Sequence, residues 1–400
     1  MHAALLLLAL LASPQAPAAT EAPPRLRLAS YNVENLFDNH DDPYRSDEGT
    51  SPKPIPAVRL LARTIDGLGA DVLAVQEVEN RGVLELLNLQ LAEPYPFVEL
   101  VEGNDGRGID VGLLSRFPIR RTISHRLRSL DGGRRFARDL VVFELDTGAG
   151  PLLVAPVHLK SKRDAQGDPQ GTAWRTAEAR AALAVLRELR ERGLGGPFAL
   201  LGDFNDEKGS AALAPLFDAL RDGLASVPEG RAWSYEYQGR KQRIDHLLLD
   251  GFDGEVRADF VHAEDRASDH APFFADLAWG QGLRREPGPA RRPRLLEPHR
   301  PRVEATDTVR LRGLLLHEVE VEGTLAEATE TRTGGHLQLR FAKDARDALT
   351  LFLPAHRRAA FDHPERLAGK RVRARGAVFL YRGRLEVELF APEQLEPLDG

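Results

Sequence analysis

From Arg25 to about Gly280 the chain alternates short apolar runs with segments of helical spacing, and many of the apolar runs end on a carboxylate, an amide or a histidine. Leu26 to Val33, Asp71 to Val78, Ile109 to Leu114 and Leu140 to Leu145 read as strands, as do Leu152 to Leu159, Phe198 to Gly202, Ile244 to Leu249 and Pro272 to Leu277. Ala57 to Leu68, Leu84 to Leu91 and Thr172 to Arg192 read as helices, the last being rich in strong helix formers. Strands with helices between them imply sheets covered by helices. Asn32 ends the first strand, Glu77 the second, and His158 lies at the end of another. Asp203 and Asn205 close a fourth, Asp245 interrupts an apolar run, and Asp269 and His270 precede the last strand.

Singly, each of these residues has an ordinary explanation as a surface partner, a satisfied core histidine or a turn former. Repeated at strand ends they are expensive to bury unless paired or metal-bound. Together they supply a base, a phosphate orienter and cationic donors around a divalent ion, the set needed for metal-assisted attack of water on phosphorus. The chain has no cysteine, so a metal would rest on oxygen and imidazole nitrogen, which favours hard ions such as Mg²⁺ or Ca²⁺. A net charge of -6 argues against general polyanion binding and leaves nucleic-acid contact to local basic patches.

The ends differ from this middle. Ala3 to Ala12 is a Leu-rich run too short to span a bilayer, which takes about 20 residues. Ala16-Pro17-Ala18 follows it, so residues 1–19 read as a cleaved signal peptide and the protein as periplasmic or secreted, although the first residues lack Lys and Arg. No later stretch implies a stable membrane anchor, and nothing implies a protein partner. Residues 281–306 are rich in Pro and Arg and read as a linker. Residues 307–400 read as five strands with a helical or irregular segment between the third and fourth, an OB-like arrangement. Arg371, Arg373 and Arg375 share one face of a strand there and, with Tyr381, Arg382 and Arg384, offer a surface for single-stranded nucleic acid; a solvated outer face is the alternative.

The runs SYNVENLF from Ser30, QEVEN from Gln76, DVGLLSR from Asp110, HLKSK from His158, GDFND from Gly202, RIDHLL from Arg243 and SDHAPF from Ser268 occur in one order. In that order the chain resembles the endonuclease/exonuclease/phosphatase (DNase-I-like) superfamily, and most closely its exported bacterial nuclease-like members. The resemblance implies an α/β (α+β) four-layer sandwich over residues 25–280, two mainly antiparallel sheets flanked by helices, with the small all-β OB-like barrel appended. It implies that Glu77, Asn32 and Asp269 serve a metal and that Asp203 orients or deprotonates the attacking water. Asn205 would hold a phosphate oxygen. His270, oriented by Asp245, would contact the phosphate or shuttle a proton, and His158 would stabilise developing charge or protonate the leaving oxygen. Asp110 is expected to pair with His158 or to cap a turn. Lys160 and Lys162 would steer phosphate if the strand through His158 continues. The expected activity is that of an exported metal-dependent phosphodiesterase, a nuclease on DNA or RNA using Mg²⁺, with Mn²⁺ or Ca²⁺ as alternatives. Because such motifs are shared across substrates, a small ester such as a phospholipid headgroup or sugar phosphate stays open.

Overall fold

The computed structural model describes residues 24–47, 49–162, 167–263, 266–289, 300–332, 334–344, 346 and 348–398. The expected signal peptide lies outside the described residues, as do Arg291, Arg292 and Arg294 of the linker.

In chain order the first unit runs β1 (Arg25–Leu36), α1 (Ile55–Leu68), β2 (Val72–Val78), α2 (Arg81–Asn88), β3 (Phe97–Leu100), β4 (Asp110–Ser115), β5 (Ile119–Ser124), β6 (Val141–Asp146), β7 (Pro151–His158), α3 (Thr172–Glu191), β8 (Phe198–Asp203), α4 (Ala214–Ala219), β9 (Arg221–Asp222), β10 (Tyr235–Tyr237), β11 (Arg240–Gln242), β12 (Asp245–Asp250), β13 (Val256–Phe260) and β14 (Phe273–Ala278). One sheet has the order β13-β14-β1-β2-β4-β3 and the other β5-β6-β7-β8-β12-β9. Leu26, Leu28, Val72 and Leu113 from the first pack between the sheets with Phe143, Val154, Leu201 and Leu247 from the second. The outer face of the first sheet buries Tyr31, Leu73 and Val75 with Leu61 and Ile65 of α1 and Leu84 of α2. The outer face of the second buries Leu153, Ala155 and Leu200 with Val185 and Leu189 of α3 and Leu216 of α4. The result is the expected four-layer sandwich. Strands covered on both faces read as continuous apolar runs, which is why the central ones are visible in the sequence. β3, β5, β9 and β13 escaped the sequence reading, and all four lie at sheet edges. There one flank is solvated and residues such as Arg120 and Arg121 break the apolar pattern.

The topology explains where the polar residues go. Each sheet is antiparallel except for one central parallel pair, β1 with β2 and β7 with β8. Parallel partners end on the same edge, and the antiparallel neighbours β14 and β12 begin there. His158 therefore sits level with Asp203, and Asp245 level with Asp203 from the other side.

The second unit contains β15 (Arg302–Glu304), α5 (Thr308–Arg312), β16 (Glu318–Thr324), β17 (Glu327–Glu330), β18 (Leu337–Arg340), β19 (Thr350–Leu353), β20 (Arg371–Tyr381), β21 (Arg384–Glu388) and β22 (Leu395–Pro397). The pairing path β16-β20-β21-β19-β18-β17 returns to the chain just beyond its own starting strand, around a core that includes Val319, Val321, Leu339, Leu351, Val372 and Val387. Short 3-10 turns at Ala355–Ala360 and Pro364–Leu367 stand where the sequence suggested a helical or irregular segment. The unit begins earlier than residue 307, because β15 already pairs with β16. The linker's first half lies against the sandwich: Arg285 binds Asp71 and the carbonyl of Arg25, and the amide of Glu286 donates to the carbonyl of Arg116. Among the described residues no helix is long and apolar enough to cross a membrane.

Candidate active site

The shared strand edge collects Asn32, Glu77, His158, Asp203, Asn205, Asp245, Asp269 and His270. Asn32 donates from Nδ2 to Asp203 Oδ2 at 3.1 Å and to Glu77 Oε1 at 3.3 Å. Its Oδ1 accepts the amide of Glu34 at 3.0 Å, which fixes the orientation of the side-chain amide. Glu77 Oε2 accepts the amide of Asn35 at 3.0 Å. Asp203 Oδ1 accepts the amide of Asn205 at 2.7 Å, and Asn205 Nδ2 donates to the carbonyl of Leu159. Glu77 and Asn205 both have left-handed backbones, with φ of 62° and 54°, a strain tolerated where the surroundings dictate the geometry. Gly202 is required by the approach of β7 to β8: at its φ of 139° a Cβ would lie 2.2 Å from the carbonyl oxygen of Val157.

His270 donates from Nδ1 to Asp245 Oδ2 at 2.7 Å, leaving Nε2 3.8 Å from Asp203 Oδ2. Burial opposes charge on this imidazole, but Asp245, then Asp203 and Asp269, outweigh it and raise its pKa well above 6.5. Ser234 holds Asp245 by accepting its backbone amide, and Ser268 Oγ accepts the amide of His270. The Tyr235 ring lies 5.2 Å from the His270 ring. His158 behaves in the opposite way. Burial, reinforced by the cations of Arg138 and Arg107, holds its pKa well below 6.5, so its Nε2, 3.5 Å from Asp203 Oδ2, belongs to a neutral ring. Burial pushes Asp203 up to about 7 against the opposing charge of His270. Asp269 is raised by burial and by the neighbouring Glu34.

The remaining candidates are placed as follows. Asp110 Oδ1 accepts the amide of Gly103, and Asp110 forms no hydrogen bond with His158; Asp110 Oδ2 and His158 Nδ1 are both buried without a partner. β7 ends at His158, so the strand alternation that would have placed Lys160 and Lys162 beside it stops short. Lys162 pairs with Asp206 at 3.0 Å, and the Lys160 ammonium lies 5.8 Å from the Trp174 ring. Arg107, Arg138, Ser234 and Ser268 were not legible as site residues, since they lie in loops or beside strands without any periodic signal. On the second unit, Arg371, Arg373 and Arg375 do share a face, but glutamates occupy it with them: Arg371 pairs with Glu304 and Glu322, Arg373 with Glu322, and Arg375 with Glu320 and Glu396.

The donor set suits a small hard cation. Four carboxylates face one edge, and burial raises the proton affinity of two of them. Among the described residues no three Asp, Glu or His side chains converge at ligating distance.

The sequence model of the Endonuclease/Exonuclease/phosphatase family matches residues 29–270, more than half of the chain. No curated protein matches. Similar solved structures include truncated Caenorhabditis elegans TDP2, at 17% identity over 63% of this chain and 97% of that one, with a TM-score of 0.47. A functionally unknown conserved protein from Enterococcus faecalis V583 has 19% identity over 64% and 100%, TM-score 0.48. An endonuclease/exonuclease/phosphatase family protein from Leptotrichia buccalis has 16% identity over 63% and 99%, TM-score 0.45.

Proposed function

The chain belongs to the endonuclease/exonuclease/phosphatase family, and from that premise we propose that it is an exported, Mg²⁺-dependent nuclease that hydrolyses phosphodiester bonds of DNA or RNA. The observation that carries the hydrolytic reading is the pairing of opposites at one edge. A charged His270, held by Asp245, faces an Asp203 of raised proton affinity within 4 Å. Glu77, with Asn32 and Asp269, would hold the cation, Asn32 through the second lone pair of Oδ1. The ion supplies Lewis-acid neutralisation of phosphate charge. Asp203 receives the proton of the attacking water as the P–O bond to the leaving group breaks. Asn205 donates a hydrogen bond to a phosphate oxygen, neutral His158 donates one from Nε2 to the departing oxygen, and the charged His270 gives its Nε2 proton to that oxygen as it leaves.

A second reading, hydrolysis of a small phosphodiester, is favoured by a specific observation. Cations near the site are engaged internally, Lys162 with Asp206 and Arg138 with Asp105. The ring of strand pairings in the second unit supports an OB-like barrel, but a strand bound on its arginine face would have to displace four glutamates. Export rests on the Leu-rich run and the small-residue site after it.

The test is hydrolysis of plasmid DNA, single-stranded DNA, RNA and bis-p-nitrophenyl phosphate with Mg²⁺, Mn²⁺ or Ca²⁺, against a chelator. The expected result is cleavage of a polymer that chelation abolishes. Turnover of the small ester alone selects the second reading, and turnover undiminished in excess chelator overturns the metal-dependent mechanism.

A further inference from the structure

The second unit reaches the edge that carries the site. Just past Asn32, Glu34 and Asn35 both take left-handed backbones at φ 50°, a costly conformation for two consecutive non-glycine residues. β1 changes register with β2 across this bulge. The bulge is what lets Asn35 offer its amide to Glu77 and Glu34 its amide to Asn32. The Glu34 carboxylate turns to the opposite loop, where Oε2 accepts the amide of Asp269 at 3.1 Å. The same carboxylate receives Arg357 Nη2 from the 3-10 turn Ala355–Ala360 of the second unit. Arg357 Nη1 donates to Glu388 Oε1 at 2.7 Å, and its guanidinium lies 4.1 Å from the Phe390 ring centre. Lys53, over the same ring at 5.0 Å, donates to the carbonyl of Ala267 at 3.0 Å. The loop Ala267–His270 is thus held at its first residue by Lys53, at Ser268 by the Asn32 carbonyl, and at Asp269 by Glu34.

We propose that Arg357 is a positioning residue of the active site, holding Glu34 so that the Asp269 loop and the Asn32 bulge keep the geometry that hydrolysis needs. A greasy contact would join the two units with less desolvation than a buried arginine between two carboxylates. The charged group adds direction: it fixes one placement of Glu34, and that placement holds both the strained Glu34–Asn35 bulge and the Asp269 loop beside the site. Catalysis in the sandwich therefore depends on the docked second unit. This rests on the phosphodiesterase reading above.

The experiment uses the full chain. Wild type, Arg357→Met, Arg357→Lys and Glu34→Met are compared for kcat and KM on bis-p-nitrophenyl phosphate at saturating Mg²⁺. Hydrogen exchange of segment 267–270 is measured in the metal-free protein. Arg357→Met should lower kcat by about 10- to 100-fold with KM little changed, as loss of a group supporting metal-site residues does. Exchange at Asp269 should rise while amides of the second unit stay protected, and Arg357→Lys should recover part of both. A folded Arg357→Met with wild-type kcat and wild-type exchange at Asp269 overturns the inference. If that variant does not fold, unchanged kcat and exchange in a folded Glu34→Met, which lacks the oxygen that accepts from both Arg357 and the Asp269 amide, overturn it instead. A wild type inactive on every phosphodiester sinks the hydrolase reading, and the exchange measurement still decides the positioning role.

Discussion

Two parts of the molecule gather acidic side chains and use them in opposite ways. On the second unit, Glu318, Glu320, Glu322 and Glu396 alternate with Arg300, Arg302, Arg373 and Arg375 across neighbouring strands, each acid within 4 Å of a guanidinium. The Arg373 hydrogen bond holds the Glu322 carboxyl below its ordinary range. At the sandwich edge, Asp203 and Asp269 sit among other acids and are pushed upward by burial. The ladder is electrostatically complete. The edge keeps its acids close together and buried, an arrangement that a bound cation would relieve. Local frustration of this sort is what separates a site from a structural ion-pair network built of the same residue types.

The contrast is tested most strongly by Asp203→Asn, which keeps the shape and removes one charge. Activity should fall by about 10³-fold or more, as loss of a positioned base does. The metal-free protein should nevertheless become more stable, its thermal midpoint rising by about 2–4 °C, because one of several crowded carboxylates is gone. The three tryptophans, Trp174, Trp233 and Trp279, all lie in the sandwich, so fluorescence-detected unfolding reports that unit. A metal-free Asp203→Asn protein less stable than wild type would mean that the edge is as self-satisfied as the ladder.

How far the sequence foretold this division can be traced to particular residues. β1, β2, β7, β8 and β12 are covered on both faces, so their apolar runs and terminal polar residues stand out, and the polar cluster at their shared edge can be read from the sequence. Arg138 and Arg107 cannot be, because a loop arginine beside a histidine leaves no periodic mark. The role of Glu34 was hidden for a deeper reason: it depends on two consecutive left-handed residues and on Arg357, some 320 positions away in sequence. The run of arginines at 371, 373 and 375 was visible. The glutamates opposite were visible too, but only the strand register pairs them and cancels the charge.

The same contrast predicts opposite pH responses. Asp203 is raised in the folded state, so its contribution to metal-free stability is fully present below 3.8 and is lost as pH rises toward about 7. His270, raised above 6.5, adds stability that is present below that value and declines as pH climbs through its folded pKa. Glu322 is lowered, so its contribution is present above 4.5 and disappears as pH falls through its folded pKa. His158 runs the other way, its contribution present above 6.5 and lost as pH falls through its folded pKa, so the test is a difference: from pH 5 to pH 8 the chelated wild type should lose tryptophan-detected stability relative to Asp203→Asn, and saturating Mg²⁺ should flatten that slope. A wild type that gains on Asp203→Asn as pH rises would break the assignment.

The smallest effect is expected in the ladder itself. Glu322→Gln keeps the shape of one largely covered acid beside Arg371 and Arg373, and ion pairs to a half-exposed guanidinium such as that of Arg371 contribute little. The thermal midpoint should stay within about 2 °C of wild type and kcat should not change. What should change is the response to polyanions. With Glu320→Gln added, the arginines lose two of the four glutamates that offset their charge. Fluorescence anisotropy with a labelled single-stranded oligonucleotide should then show tighter binding at low salt and a steeper loss of affinity as salt rises. If instead Arg373→Gln in the otherwise wild-type chain already weakens oligonucleotide binding, the ladder yields to nucleic acid in the native protein. The face would then be a working contact for a strand, and the difference between the two acidic regions would be one of degree.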